Sequence, residues 1–309
     1  MNRLEFILKK VPAGLMVIPL LLGALIHTVF PRLLEIGSFT TAIASGSAAI
    51  MGVQMICLGS RLKFRSIPGI LAKSGVLLLG KLILGFLAAG IFRLMGQNLI
   101  CGFSILTVVS AISNTNGSLY LSLTATYGET RAAAGTPIIS LNNGPFFPML
   151  ILGAAGIMPL APLQIVAMML PMVLGMILGN CWKSAEVFLA NGVGLLIPFI
   201  GFSLGASMDL RNLFYAGAEG ILLAVVITLA GGLFMTVLDR TSCGGTGVAG
   251  MASSATGANA VMVPAALTTL MPDFAPIAAQ SAAQLAVCAI VGALLVPVMT
   301  GLVARKSKL

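Results

Sequence analysis

Ten apolar stretches follow one another along the sequence, with only short polar connections between them. In the first half they lie near Pro12 to Phe30, Phe39 to Gly59, Ile67 to Leu94, Leu99 to Tyr127 and Ala132 to Gly156. In the second they lie near Pro162 to Asn180, Val187 to Ala206, Phe214 to Leu238, Gly247 to Leu270 and Ala275 to Ala304. About 20 mostly apolar residues suffice for a helix to cross a bilayer, so this spacing predicts an integral membrane protein with no sizeable soluble domain. Composition agrees. Charged residues make up 8% of the chain, against about 25% in a soluble domain, too few to coat a surface facing water. Glycine is abundant, at 36 of 309 residues. Membrane helices use glycine for close approach and for breaks, which favours an all-α bundle over a β-barrel.

Several function classes drop out. The five cysteines, Cys57, Cys101, Cys181, Cys243 and Cys288, are odd in number and widely spaced, and they read as small apolar packing residues rather than disulfides or metal ligands. With a single His27 and no CxxC, no metal site and no cofactor is expected. The net charge of +9 does not imply nucleic acid, because the basic residues sit between apolar runs rather than on one solvated face. Gly245-Thr246-Gly247-Val248-Ala249-Gly250 satisfies GxGxxG but lacks a βαβ setting, and reads as a flexible lead into a broken helix. No nucleophile–base pair suggests an enzyme.

The two halves, residues 1–156 and 157–309, read as copies of one five-helix unit. Ile18-Pro19 with Gly23 matches Leu170-Pro171 with Gly175, at an offset of 152. The corner Leu58-Gly59-Ser60-Arg61-Leu62-Lys63 matches Leu204-Gly205-Ala206-Ser207-Met208-Asp209, at 146. Ser110, Ser113 and Asn116 match Ser253, Thr256 and Asn259, at 143. An odd number of crossings per copy makes the repeat inverted. Charge gives an independent reading, since cytoplasmic loops are rich in Lys and Arg. With the N-terminus inside, thirteen of the seventeen basic residues fall on the inner side, including Arg3, Lys9, Lys10, Lys63, Arg65, Lys73, Arg240 and Lys308, and only Arg32, Arg93 and Arg211 fall outside. Both termini are therefore expected in the cytoplasm.

Polar residues inside apolar runs mark the chemistry, because burying them in a membrane is costly. The fourth run is interrupted by Ser113, Asn114, Thr115, Asn116, Gly117 and Ser118, and the ninth by Ser253, Ser254, Thr256, Gly257 and Asn259. Paired interruptions at matching places in two repeats point to a transporter's midplane binding site. Breaks in helices 4 and 9 free backbone N–H groups that suit an anion, while Asn and Ser suit hydroxyls; close helix packing is the plainer alternative. Asn142 and Asn143, ahead of Gly144-Pro145, either line the cavity or form a packed kink. Lys81 lies deep in the third run, and is either a coupling or anion-attracting group or one that locks helices by bonding to carbonyls. Gln54, Gln280 and Gln284 read as interhelical hydrogen-bond partners, with Gln54 and Gln284 also candidates for coupling. The acids, Asp239 among them, are placed in loops, with Glu219 near the start of the eighth run.

The stretch Lys10-Val11-Pro12-Ala13-Gly14-Leu15-Met16-Val17-Ile18-Pro19 through Thr28 resembles the 2-keto-3-deoxygluconate permease family. So do Thr115-Asn116-Gly117-Ser118-Leu119-Tyr120, Ile197-Pro198-Phe199 with Leu204-Gly205, and Gly244 to Ala260. The resemblance implies a bacterial inner-membrane carrier that imports this sugar-acid anion by proton symport. It also implies a fold like that of the bile acid:sodium symporters: ten helices, a panel of helices 1, 2, 6 and 7, and a core with crossed broken helices 4 and 9. Solute would meet Asn114, Thr115, Asn116, Gly117, Thr256, Gly257 and Asn259. Against the pattern that the resemblance implies, this chain has Ser113 in place of an Asp and Asn142 in place of a Glu. The alternative is a sodium-coupled carrier of another small organic anion, with Ser113, Asn114, Thr126 and Gln284 as oxygen ligands. Either way the partners are a small anion and the lipid bilayer.

Overall fold

The computed structural model describes residues 14–61, 67–96, 99–127, 129–157, 162–206, 210–269 and 271–307. The basic residues Arg3, Lys9, Lys10, Lys63, Arg65 and Lys308, and the corner residues Ser207 and Asp209, lie outside them. In chain order the chain forms helices α1 (Gly14–Val29), α2 (Ser38–Ser45), α3 (Ser47–Ser60) and α4 (Ile67–Leu94). A two-stranded hairpin follows, β1 (Leu99–Ile100) and β2 (Phe103–Ser104), then α5 (Ile105–Ser113), α6 (Gly117–Thr126) and α7 (Phe146–Ala154). The remaining helices are α8 (Pro162–Cys181), α9 (Lys183–Gly205), α10 (Leu210–Val226), α11 (Gly232–Ser242), α12 (Val248–Ser253), α13 (Val263–Thr268) and α14 (Ala275–Lys306).

The chain is a mostly helical, multi-pass membrane protein. Among the described residues four helical stretches are long and apolar enough to cross a bilayer: Lys73–Leu94, Lys183–Gly205, Ala216–Ser242 and Pro272–Lys306. The third of these joins α10 and α11 through a π-helical turn at Ile227–Gly231. Along α4 the exposed Leu79, Ile83, Leu87 and Ile91 recur every fourth residue, an apolar stripe that suits lipid.

Three expected runs take a different form. The second breaks at Gly46 between α2 and α3. The fourth does not start as a helix: Leu99 pairs with Ser104 and Ile100 with Phe103 across a turn. That turn is Cys101-Gly102, both with positive φ, the backbone that suits a two-residue hairpin loop. The fifth is no single continuous helix, but the short helices Thr130–Ala134 and Thr136–Ile139, a 3-10 turn at Ser140–Asn142, and α7. Gly144 sits at φ 115° and Pro145 has no N–H to give, so a continuous helix cannot pass there.

The chain divides into two compact units. The first comprises Met1–Lys63, Ala161–Gly217 and Val261–Ala283, and the second Phe64–Leu160, Ala218–Ala260 and Gln284–Leu309. In the first, α1 packs on α9 and α3 on α8. Glycine allows both approaches. A side chain at Gly23 would strike the backbone of Phe202 and Ala206, and one at Gly205 the Leu20 carbonyl. A side chain at Gly59 would strike the Met172 carbonyl, and at Gly175 that of Ile56. In the second unit the core gathers Leu77, Tyr120, Ile139, Met235, Ala252 and Val296 around buried polar groups.

Candidate functional site

The two interrupted segments meet in the second unit. α5 ends at Ser113, Asn114 and Asn116 take extended backbone, and α6 starts at Gly117 with the Asn116 side chain accepting from Leu119 N at 3.1 Å. That cap satisfies one of the donors a helix start leaves unpaired. α12 ends at Ser253, and irregular chain leads through Gly257 into a 3-10 turn at Ala258–Met262. Each break donates a hydrogen bond to a backbone carbonyl of the other. Asn116 N–H donates to Ala255 O at 2.8 Å, and Thr256 Oγ1 donates to Ala111 O at 3.1 Å. Gly257 lies against the Thr115 carbonyl, where any side chain would clash.

Lys81, from α4, occupies the junction. Its ammonium donates to Asn114 O at 2.9 Å, Ser253 O at 2.9 Å and Thr115 Oγ1 at 3.0 Å. Two of these acceptors are carbonyls at the C-terminal ends of α5 and α12, where the helix dipole favours a cation. The Thr115 hydroxyl also accepts from Asn142 Nδ2 at 2.8 Å and donates to Ser253 O at 3.3 Å. Asn142 Oδ1 takes Thr115 N–H at 3.2 Å, and Asn114 Oδ1 takes Gly144 N–H at 2.9 Å. The break in the fifth run is thus bolted to the break in the fourth.

The structure gathers these candidates but sorts them into two kinds. Ser113, Asn114, Thr115, Asn142 and Thr256 are at most 2% exposed, and their side chains are engaged inside the protein: Ser113 Oγ, for example, donates to Val109 O. Gly257 is buried. Asn116, Gly117, Asn143 and Asn259 are partly exposed, and Asn143 Oδ1 has no hydrogen-bond partner among the described residues. The Ser118 side chain lies outside the described set.

Gln54 belongs to the first unit and donates to Val193 O at 3.2 Å. Gln284 belongs to the second, accepts from Thr107 Oγ1 at 2.9 Å and donates to Gly102 O at 2.9 Å and to Glu219. The four oxygen donors named for sodium are not drawn to one point: Thr126 is exposed and bonds Ser122 O in its own helix. A surface depression lined by Tyr127, Pro297, Val298, Gly301 and Arg305 shares no residue with the junction.

One buried group escaped the sequence reading. Asp239 is not in a loop: it lies in α11 and is fully buried. Its Oδ2 accepts from Gly247 N at 3.0 Å and Gly250 N at 3.3 Å, and Lys73 Nζ lies 3.2 Å from Oδ1. Lys73 also pairs with Glu129 at 2.6 Å, and Glu129 takes the Thr246 hydroxyl at 2.6 Å. Burial alone would raise the Glu129 carboxyl, but the hydrogen bonds from Lys73 and Thr246 outweigh it and hold the group below its ordinary value. The glycines of the GxGxxG stretch fold around this carboxylate; a side chain at Gly245 would strike Asp239 and Lys73. The signal was an acid followed within a dozen residues by glycines spaced to bring N–H groups back to it. The cysteines also divide: Cys57 and Cys288 are buried, whereas Cys101 and Cys181 are exposed, and all five are free thiols.

Comparison with known proteins carries the same direction. The family model for 2-keto-3-deoxygluconate permease matches residues 6–309. The 2-keto-3-deoxygluconate permease 1 of Salmonella typhimurium is 42% identical over 97% of this chain and 95% of its own. The permease of that name from Xanthomonas euvesicatoria is 38% identical over 96% of each chain, and that from Escherichia coli O157:H7 is 34% identical over 99% of this chain and 96% of its own. These relatives are transporters by name, not enzymes. A chain matched from end to end, with two broken helices knotted at a buried lysine, belongs to the 2-keto-3-deoxygluconate permease family.

Proposed function

We propose that this protein is a secondary active transporter that imports 2-keto-3-deoxygluconate across the bacterial inner membrane by proton symport, with alternating access and both termini in the cytoplasm. The observation that carries the reading is the meeting of the two interrupted helices, joined by the Asn116 N–H to Ala255 O bond. Ten helices in two inverted repeats give it its frame. The repeat-matched glycines support that frame, because Gly23 and Gly205 serve the α1–α9 contact as Gly175 and Gly59 serve the α8–α3 contact. The unit holding α1–α3, α8 and α9 answers to the panel, and the unit holding both half-helices α5 and α12 to the core.

The solute meets the partly exposed members of the candidate set: Asn116, Gly117, Asn143 and Asn259. The start of α6 supplies N–H groups for the carboxylate, and the Asn amides suit the hydroxyls. Ser113, Asn114, Thr115, Asn142 and Thr256 hold these groups in place.

Uptake of labelled 2-keto-3-deoxygluconate into liposomes bearing the purified protein tests the reading. Accumulation is expected under an inward pH gradient, and not under a sodium gradient alone. Accumulation that needs sodium points to the alternative carrier, and no uptake of any sugar acid under either gradient overturns the assignment.

A further inference from the structure

We propose that Lys81 is the group that takes up and releases the coupling proton, its ammonium being the cation that ties the two half-helices together. The inference rests on the proton-symport reading above. A symporter driven by protons needs a group that titrates where the solute is handled, and Lys81 is at the junction itself, 2% exposed. Its three N–H donors meet three acceptors, Asn114 O, Ser253 O and Thr115 Oγ1. All are hard oxygen donors of the kind that hold an alkali cation, and the protonated amine stands in that cation's place.

Among the described residues, three carboxylates of the second unit are engaged away from the junction. Asp239 and Glu129 pair with Lys73, and Glu219 takes a hydrogen bond from Gln284. Among the described residues no carboxylate pairs with Lys81, and the titratable group that faces it from the packed elements is the Cys288 thiol of α14. The positive charge is therefore balanced by two helix C-termini. Loading one anion and one proton adds no net charge to the protein.

Deprotonation changes the count of bonds. The ammonium offers three hydrogens to three oxygens. The neutral amine, having given one proton to water, offers two and turns a lone pair toward the third. The Thr115 hydroxyl keeps partners in Asn142 and Ser253 O, whereas the Asn114 carbonyl at the end of α5 has no such substitute among these bonds. The neutral amine can keep two of its bonds, but loss of the proton removes the charge that the C-terminal ends of α5 and α12 hold, and so weakens the tie between the two breaks. In the proposed cycle the amine gains its proton from the outer side with the solute and gives it up to the cytoplasm after the solute leaves.

The test uses the full-length protein in liposomes, with counterflow of labelled 2-keto-3-deoxygluconate read beside accumulation driven by a pH gradient. Lys81→Arg keeps a cation that cannot be deprotonated, and Lys81→Gln keeps donors without charge. Lys81→Arg is expected to show counterflow with gradient-driven accumulation lost, so that internal solute only equals external, and Lys81→Gln is expected to lose accumulation as well. Accumulation in either variant like that of the wild type overturns the proposal while leaving the symport reading intact. Failure of the wild type to accumulate under the pH gradient overturns the symport reading, and the proposal with it. Should neither variant reach the membrane folded, Thr115→Val decides: it removes one acceptor of the ammonium but keeps the amine, and is expected to move the pH midpoint of uptake toward acid. An unmoved midpoint assigns Lys81 a structural role and sinks the proposal.

Discussion

Both units of this protein use glycines pressed against backbone carbonyls, but among the described residues only the second adds buried charged side chains. In the first, α1 lies on α9 and α3 on α8 through glycines pressed against backbone carbonyls. In the second, polar side chains join the elements as well: the buried Lys81, Thr115, Asn114 and Asn142 around the junction, and the buried Asp239 with the partly exposed Lys73 and Glu129 beyond it. The contrast has a physical meaning. A glycine contact has one tight geometry and nothing to exchange, so it makes a rigid frame. A hydrogen-bonded knot built on ionisable groups has at least two states, set by where its protons are. A part that stays fixed and a part that changes would suit the alternating access proposed above.

The largest effect is expected where the second unit keeps its buried charges. Asp239→Ala removes the acceptor of Gly247 and Gly250 N–H and strands Lys73 beside Glu129 alone. Leaving a buried donor unpaired costs about 1–3 kcal/mol, and two such donors together are enough to show as a large fall in thermal midpoint in detergent. A variant with the wild-type midpoint breaks the claim that this unit is held by its ions.

Overpacking the first unit should cost somewhat less. Gly205→Leu puts a side chain into the Leu20 carbonyl, and neither backbone can give way, so a loss of about 1–3 kcal/mol is expected. Gly194 on the same helix α9 has nothing within 4 Å of where a Cβ would stand. Gly194→Ala is expected to unfold at or above the wild-type temperature, because alanine restricts the unfolded chain. Equal losses at the two sites would show that helix propensity, not close contact, governs this unit.

Much of this was legible in the sequence for reasons that can be named. The paired breaks showed because polar residues at depth are costly, and the matched glycines showed because close helix approach leaves few other choices. What stayed hidden depended on long-range partners. Lys81 was visible as a deep lysine, but its acceptors come from residues 33 and 172 positions away, and no local pattern announces that. Asp239 misled because an Asp-Arg pair at the edge of an apolar run looks like a loop, when Arg240 is exposed and Asp239 turns inward. The fifth run was apolar enough to read as one helix, and Asn142-Asn143-Gly144-Pro145 gave the warning that it is a string of short elements.

A smaller effect, tied to pH, separates the partly exposed end of the ionic cluster from its buried end. The Glu129 carboxyl is held below its ordinary value of 4.5, so it stabilises the fold fully above that pH. The contribution is lost as pH falls from there through the lower folded-state value. Glu129→Gln is expected to lower stability at neutral pH by about 1 kcal/mol and to flatten the acid limb of the thermal midpoint against pH. An acid limb unchanged in the variant would assign the pH response to another group.

The smallest effect is expected at the first unit's buried glutamine, and it sharpens the comparison most directly. Gln54 is fully buried and donates to Val193 O at 3.2 Å, while its Oε1 has no partner among the described residues. An interhelical hydrogen bond in a membrane protein averages about 0.6 kcal/mol, and an unsatisfied buried acceptor works against it. Gln54→Leu removes both at similar volume, so the two terms largely cancel and the thermal midpoint should barely move. Because the glycines carry this unit, transport should survive as well. A folded Gln54→Leu variant that has lost gradient-driven uptake would place an exchanging polar group in the first unit, and the division between fixed frame and protonatable knot would have to be redrawn.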